Sequence, residues 1–231
     1  MQEHYDIIII GTGSGGGTIA RKLAAAGKKL LILERGGFVP KEKENWDPHQ
    51  VVTAGRYRPK EYWYDKEDKP FLPYIHYNVG GNSKMYGAAL FRFREKDFEE
   101  VEHYGGTSPA WPFSYKTLEP YYDEAEKMYH VHGLRAADPT EPPCKTGYPL
   151  AALPYEPLIK DLDEKLKQTG LHPFPLPMGI NLPQDWNKNA SPVVLENFDG
   201  FPDPTDSKAD SQTVGLNKAL MHENVRMLKN Y

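Results

Sequence analysis

An α/β fold built on a parallel sheet is what this sequence predicts, and three observations near its start predict it. Residues 5–10, YDIIII, carry after Asp6 a short apolar run of four isoleucines, the pattern of a strand buried on both faces. A glycine-rich turn follows, and then TIARKLAAAG, where Ile19, Leu23 and Ala26 recur at helical spacing and Gly27 marks a stop. KKLLILE, residues 28–34, reads as a second buried strand ending at Glu34.

The turn itself, GTGSGG, satisfies G-x-G-x-x-G with Gly11, Gly13 and Gly16. Gly11 permits the tight exit from the strand. Gly13 removes a side chain where backbone must approach a diphosphate, and Gly16 lets helix and strand pack closely. The helix start directs free N–H groups and partial positive charge at an anion. Glu34 lies 23 residues after Gly11 (34 − 11), at the strand tip where a carboxylate accepts hydrogen bonds from ribose hydroxyls and disfavours a 2′-phosphate. Strand, turn, helix, strand and terminal acid in order make a Rossmann-like dinucleotide site. This half leaves FAD and NAD both open.

A second glycine segment, HYNVGGNSKMYGAALFR at residues 76–92, narrows the choice. A diphosphate needs one cradle, whereas a long cofactor with a large ring system uses a second contact segment. Gly80 and Gly81 invite close backbone approach, Asn82 and Ser83 supply short polar groups, and Gly87, Ala88 and Ala89 are small enough for a flat ring to lie against. With YDIIIIGTGSGGGTIARKL, LILERGG at 31–37, VGGNSKMYGAALFRFREKDFEE at 79–100 and PAWPFSYKTLEPYYDEAEKMYHVHG at 109–133, the chain resembles the glucose–methanol–choline oxidoreductases. FDGFP at 198–202 and KADSQTVGLNKALMHENVRMLKNY at the end carry the likeness further, as a return into the cofactor domain before its next strand.

The resemblance implies FAD and oxidation of an alcohol or sugar at its CH–OH group, with hydride passing to flavin N5. It implies that Gly11, Gly13, Ser14 and Gly16 line the FAD diphosphate and Glu34 its adenosine ribose. Gly80, Gly81, Asn82 and Ser83 approach the diphosphate and ring, and Met85, Tyr86, Gly87 and Ala88 sit near the flavin. Asn82 stands where the family usually has Ser, Thr or Gly, and Tyr86 where it has Asn or His. Met85 stands where some members attach FAD through a histidine, so a non-covalent flavin is expected. The family's catalytic histidine belongs to a later half and its chains are more than twice this length. The chain therefore reads as truncated: an FAD-binding portion at 1–134 with a lid or arm at about 41–75, part of an α+β substrate-side domain at 135–200, and an incomplete return at 201–231. No catalytic residue is assigned. A C-terminal half, separate or missing, is an expected partner. The alternatives are a short NAD-dependent dehydrogenase, which requires alternating strands and helices after residue 40, and a non-catalytic split or decayed product.

Composition excludes other classes. The formal net charge of −4 over 231 residues, with both signs mixed, points away from nucleic acid and anionic membranes. The single cysteine, Cys144, forbids an intrachain disulfide. The acidic start and the four-residue isoleucine run are neither signal peptide nor membrane span. A cytoplasmic protein is expected. His76 is the one histidine near the second glycine segment. His130 and His132 form an H-x-H without a third ligand, so no metal site is expected.

The remaining segments read as scaffold. KEKEN at 41–45 is a solvated loop, and residues 56–74 an aromatic arm. A helix begins near a cap at Ser114 or Thr117, with Pro120 in its first turn and Leu118, Tyr121 or Tyr122, Ala125 and Met128 on one face. Pro157 opens another helix, with Leu158, Ile159, Leu162 and Leu166 as its buried face, Asp161 to Lys165 and Asp163 to Lys167 as pairs on its wet side, and Gly170 as its end.

Overall fold

A computed structural model describes residues 3–182 and 199–231. In chain order the strands are β1 (Ile7–Ile10), β2 (Leu30–Glu34), β3 (Trp63–Tyr64), β4 (Pro70–Phe71), β5 (Val101–His103), β6 (Gly106–Ser108), β7 (Val131–Gly133), β8 (Leu150–Ala151), β9 (Met178–Gly179) and β10 (Val225–Lys229). The helices are α1 (Ser14–Ala24), α2 (Tyr115–Met128), α3 (Pro157–Gln168) and the short α4 (Asn217–Ala219). Contacts gather the described residues up to 88 with 199–231 into one unit and 89–182 into another.

In the first unit β1, β2 and β10 form a parallel sheet with β2 in the middle. Ile7 pairs with Leu30 and Val225 with the same Leu30, so both outer strands start level with the central one. The first, second and returning strands thus stand in the 3-2-1 order of one half of a doubly wound sheet. α1 packs with small residues: Gly17, Ala20 and Ala24 are buried, while Ile19 is 50% exposed and Ala26 lies beyond the helix. The buried stripe is therefore offset from the expected Ile19–Leu23–Ala26 set. Ile9, Ala20, Ala24, Leu30, Ile32, Val79, Leu216 and Ala219 make the core.

β1 is not buried on both faces as expected. Ile9 is inside, but Ile8 and Ile10 are 57% and 84% exposed. Alternation places them on the sheet face opposite α1, and no described element of this unit covers it. The expected strand at the end of the chain is β10, and the aromatic arm is the exposed hairpin β3–β4, where Trp63 meets Phe71 edge-on at 6.4 Å. Within the 41–45 loop Asn45 is buried, donating to the Pro40 carbonyl and accepting from the Tyr57 hydroxyl, a correction to the solvated reading.

In the second unit β7 pairs parallel with β8 and antiparallel with β9. Ser114 is the cap residue of α2, so Pro120 falls inside the helix rather than in its first turn. Its buried residues are Tyr115, Glu126 and Met128, whereas Tyr121 and Ala125 are exposed. Glu126 turns inward to meet buried Arg92, which also reaches Asp123 at 2.6 Å and the Tyr115 hydroxyl at 3.0 Å. Pro157 is the first residue of α3, and Gly170 at φ +84° follows its end. The expected buried face is open: Leu158, Ile159 and Leu162 are 77%, 45% and 50% exposed, while Asp163 is buried and bonded to Lys167 at 2.6 Å. The helical period was right and the side it buries was not: among the described residues nothing in this unit covers those leucines. Residues 183–198, including Phe198 and part of the expected 135–200 segment, lie outside the described residues.

Candidate functional site

The first glycine turn does three separate jobs. Gly11 leaves β1 at φ +87° and donates to the Leu33 carbonyl at 2.7 Å, tying the turn to β2. A Cβ at Gly16 would stand 2.0 Å from the Gly11 carbonyl oxygen, so only glycine permits this approach of helix to strand. A Cβ at Gly13 would meet nothing within 4 Å, leaving the backbone open on that side. Gly13 precedes α1 without a side-chain cap, so the first N–H groups of the helix have no capping side chain, and Ser14 is exposed beside them.

The second glycine segment comes to the first. The Gly80 N–H donates to the Thr12 hydroxyl at 2.9 Å across 68 residues of sequence. A Cβ at Gly81 would lie 3.2 Å from the Gly13 Cα. Both glycines hold left-handed backbone, φ +91° and +55°, and Gly81 opens a one-turn 3-10 helix, Gly81–Lys84. Ser83 fastens the pair by donating to the Gly80 carbonyl at 2.6 Å and accepting from the Ser211 N–H at 3.0 Å.

Beneath the loops lies a buried polar layer. Ser211 donates its hydroxyl toward the Thr12 and Gly13 carbonyls, 2.8 Å from each, and a Cβ at Gly17 would strike that same oxygen. Asp210 accepts from the N–H groups of Gln212 and Thr213, capping the π-helical turn Ser211–Leu216, and pairs with Lys84 at 2.8 Å. Lys208 is fully buried, donating to the Phe201 carbonyl at 2.9 Å. Desolvation pushes its ammonium down to about 8, against the opposing pull of Asp203 and Asp210.

A cavity of about 500 Å³ opens along the first turn, with Gly11, Gly13, Glu34, His76, Asn78 and Gly81 among its walls. The remaining expected contacts, Ser14, Gly16, Gly80, Asn82, Ser83 and the 85–88 run, lie outside this lining. Met85 and Ala88 are buried, the Tyr86 hydroxyl donates to the Ala209 carbonyl at 2.6 Å, and a Cβ at Gly87 would press on Asp199. Glu34 is 6% exposed and already engaged, accepting the Thr12 N–H at 2.8 Å, the Thr12 hydroxyl and the Gly36 N–H at 2.8 Å. Its carboxylate braces the turn against the strand tip. The open backbone at Gly13, the helix start and the adjoining second bend fit the diphosphate of a dinucleotide.

Sequence reasoning missed Thr12, Asn78, Lys84, Lys208, Asp210 and Ser211. Only Asp210 had a signal: an acid three residues before Thr213 forms a capping box. Among the described residues no group of three metal-ligating side chains gathers. His132 is buried with Nδ1 2.8 Å from the Ala151 carbonyl, and exposed His130 meets Asn181. Cys144 is a free thiol beside the Thr146 carbonyl.

No family model matches the chain. It is 33% identical over 153 residues to 2-methyl-1,2-propanediol dehydrogenase of Mycolicibacterium austroafricanum, covering 61% of this chain and 27% of that protein. To paromamine 6'-oxidase of Streptomyces fradiae it is 28% identical, over 77% of this chain and 31% of that protein. An FAD-dependent oxidoreductase from Chaetomium thermophilum shares the fold at a TM-score of 0.54 and 16% identity, over 97% of this chain and 38% of that one. The chain thus spans about a third of the length of the curated relatives it matches. Glycine motif, strand order and relatives agree: the chain is related to the FAD-binding portion of the glucose–methanol–choline oxidoreductases.

Proposed function

We propose that this chain forms the FAD-binding portion of an oxidoreductase acting on the CH–OH group of a small alcohol or sugar. The carrying observation is the closure of two glycine bends on one another, Gly80 N–H to Thr12 hydroxyl at 2.9 Å. The main chain at Gly11 and Gly13, with Ser14 and the start of α1, holds the diphosphate. Gly16 sets the helix close enough to do so. Gly80, Gly81, Asn82 and Ser83 bring the second segment to the same ligand, and Met85, Tyr86, Gly87 and Ala88 continue it toward the ring. A bound flavin supplies the hydride acceptor, its N5 atom. Met85 offers no imidazole for attachment, so the flavin is non-covalent. The base that takes the hydroxyl proton is assigned to residues other than these, in a C-terminal half or a partner chain. On this reading the cofactor portion is drawn from residues 1–134 and 201–231, and residues 135–200 belong to the substrate side.

Among the described residues no helix is long and apolar enough to cross a membrane, and with one free cysteine we place the protein in the cytoplasm. A short NAD-dependent dehydrogenase would add alternating strands and helices directly after β2. Here the next strand of the sheet is β10, which returns only at Val225. The test is titration of the purified full chain with FAD and, separately, with NADH. Quenching of flavin fluorescence with one FAD per chain is expected; NADH binding without flavin binding overturns the proposal.

A further inference from the structure

We propose that Lys208 is a positioning residue for the ring end of the cofactor: it holds the segment expected at the flavin, residues 83–87, against a strap formed by the returning residues 199–211. The inference rests on the FAD reading above and gives a task to a residue that reading leaves out. The strap meets each residue of the segment in turn. Ser83 Oγ accepts from the Ser211 N–H at 3.0 Å. The Lys84 carbonyl accepts from Lys208 Nζ at 3.3 Å, and Lys84 Nζ pairs with Asp210 at 2.8 Å. The Met85 carbonyl accepts from the Gly200 N–H at 2.8 Å, and the Tyr86 hydroxyl donates to the Ala209 carbonyl at 2.6 Å. At Gly87 a Cβ would lie 2.9 Å from Asp199 Oδ1.

Lys208 lies fully buried within this seam. Its ammonium donates to the Lys84 carbonyl and, at 2.9 Å, to the Phe201 carbonyl, so one side chain ties segment to strap. Its own backbone is fixed: the N–H donates to Asp203 at 2.5 Å, and the carbonyl accepts from the Thr213 hydroxyl at 3.0 Å. A buried ammonium is costly, and a methionine would fill much the same space without that cost. What the ammonium adds is direction, hydrogens aimed at two carbonyls that belong to different stretches of chain. The first bend is anchored by bonds that do not pass through Lys208. Gly11 donates to Leu33 at 2.7 Å and Thr12 to Glu34 at 2.8 Å. Local structure thus holds the diphosphate end and the strap holds the ring end, so loosening Lys208 should separate the two.

The experiment titrates the full, flavin-free chain with FAD and with ADP, which carries the diphosphate without the ring. Lys208→Met should weaken FAD binding by about tenfold, the usual size of a charged hydrogen bond lost, while ADP binding moves by less than about twofold. The visible circular dichroism of the bound flavin should fall toward that of free FAD. Hydrogen exchange on the wild type needs no variant to fold: FAD should slow residues 83–87 and 199–208 together, and ADP should slow neither. Equal weakening toward FAD and ADP, or no change toward either, overturns the inference and leaves the FAD reading standing. So does protection of 83–87 by FAD while 199–208 exchange as in the free chain. A wild type that binds no FAD overturns the FAD reading and this inference with it.

Discussion

Helices α1 and α3 carry apolar residues at the same period and meet opposite fates. α1 turns Gly17, Ala20 and Ala24 onto the sheet and buries them, and a Cβ on Gly16 would strike backbone. α3 leaves Leu158, Ile159 and Leu162 largely exposed and buries Asp163. Period states which residues share a face; it does not state what lies opposite. The small residues of α1 succeed because two flanking strands and α4 lie within reach of its backbone. The leucines of α3 have no such partner among the described residues of their own unit.

That contrast can be broken by substitution, and the effects should fall in a definite order. The largest belongs to the polar layer under the glycine bends. Asp210→Ala strands the Lys84 ammonium, 5% exposed, and uncaps the following turn. Chemical denaturation should show a loss of about 4 kcal/mol, the range for breaking a buried pair. Gly16→Ala comes next, at about 3 kcal/mol, because its methyl has only a carbonyl to displace. A smaller cost at either position would mean that the α1 side is looser than its packing implies.

Lys208 gives a pH-dependent version of the same test. Its buried ammonium titrates near 8, against 10.5 when exposed. Between those values the unfolded chain binds more protons than the folded one, so stability rises with pH through that window. Denaturation at pH 8 and pH 10 should show wild type gaining on the order of 2 kcal/mol relative to Lys208→Met. Leu162→Gln on α3 should change stability by no more than about 0.5 kcal/mol, as at any open surface. A loss comparable to that of Gly16→Ala would show that the leucine face is covered after all.

The first glycine turn was legible because its requirements are local. Gly11, Gly13 and Gly16 meet their constraints within one turn of chain, and β1, α1 and β2 follow from period and composition. The second bend was legible as two glycines seeking a ligand. Its meeting with Thr12 is a long-range fact that no window of sequence contains. Lys84, Lys208 and Asp210 stayed hidden for the same reason: charged residues scattered in a polar chain look solvated until folding brings them under a loop. The bonds from Glu34 to Thr12 and Gly36 were hidden as well, because a strand-tip acid that accepts ribose hydroxyls and one that braces a turn look identical in sequence. The exposed Ile8 and Ile10 reflect the limit seen in α3, a face with no described cover in its unit.

Hydrogen exchange of the full chain with and without FAD tests the central claim, that both glycine bends hold one ligand. FAD should slow exchange together in residues 11–17 and 76–83, with the two segments saturating at the same flavin concentration. Protection confined to residues 11–17, with 76–83 exchanging as fast as in the free chain, would contradict it.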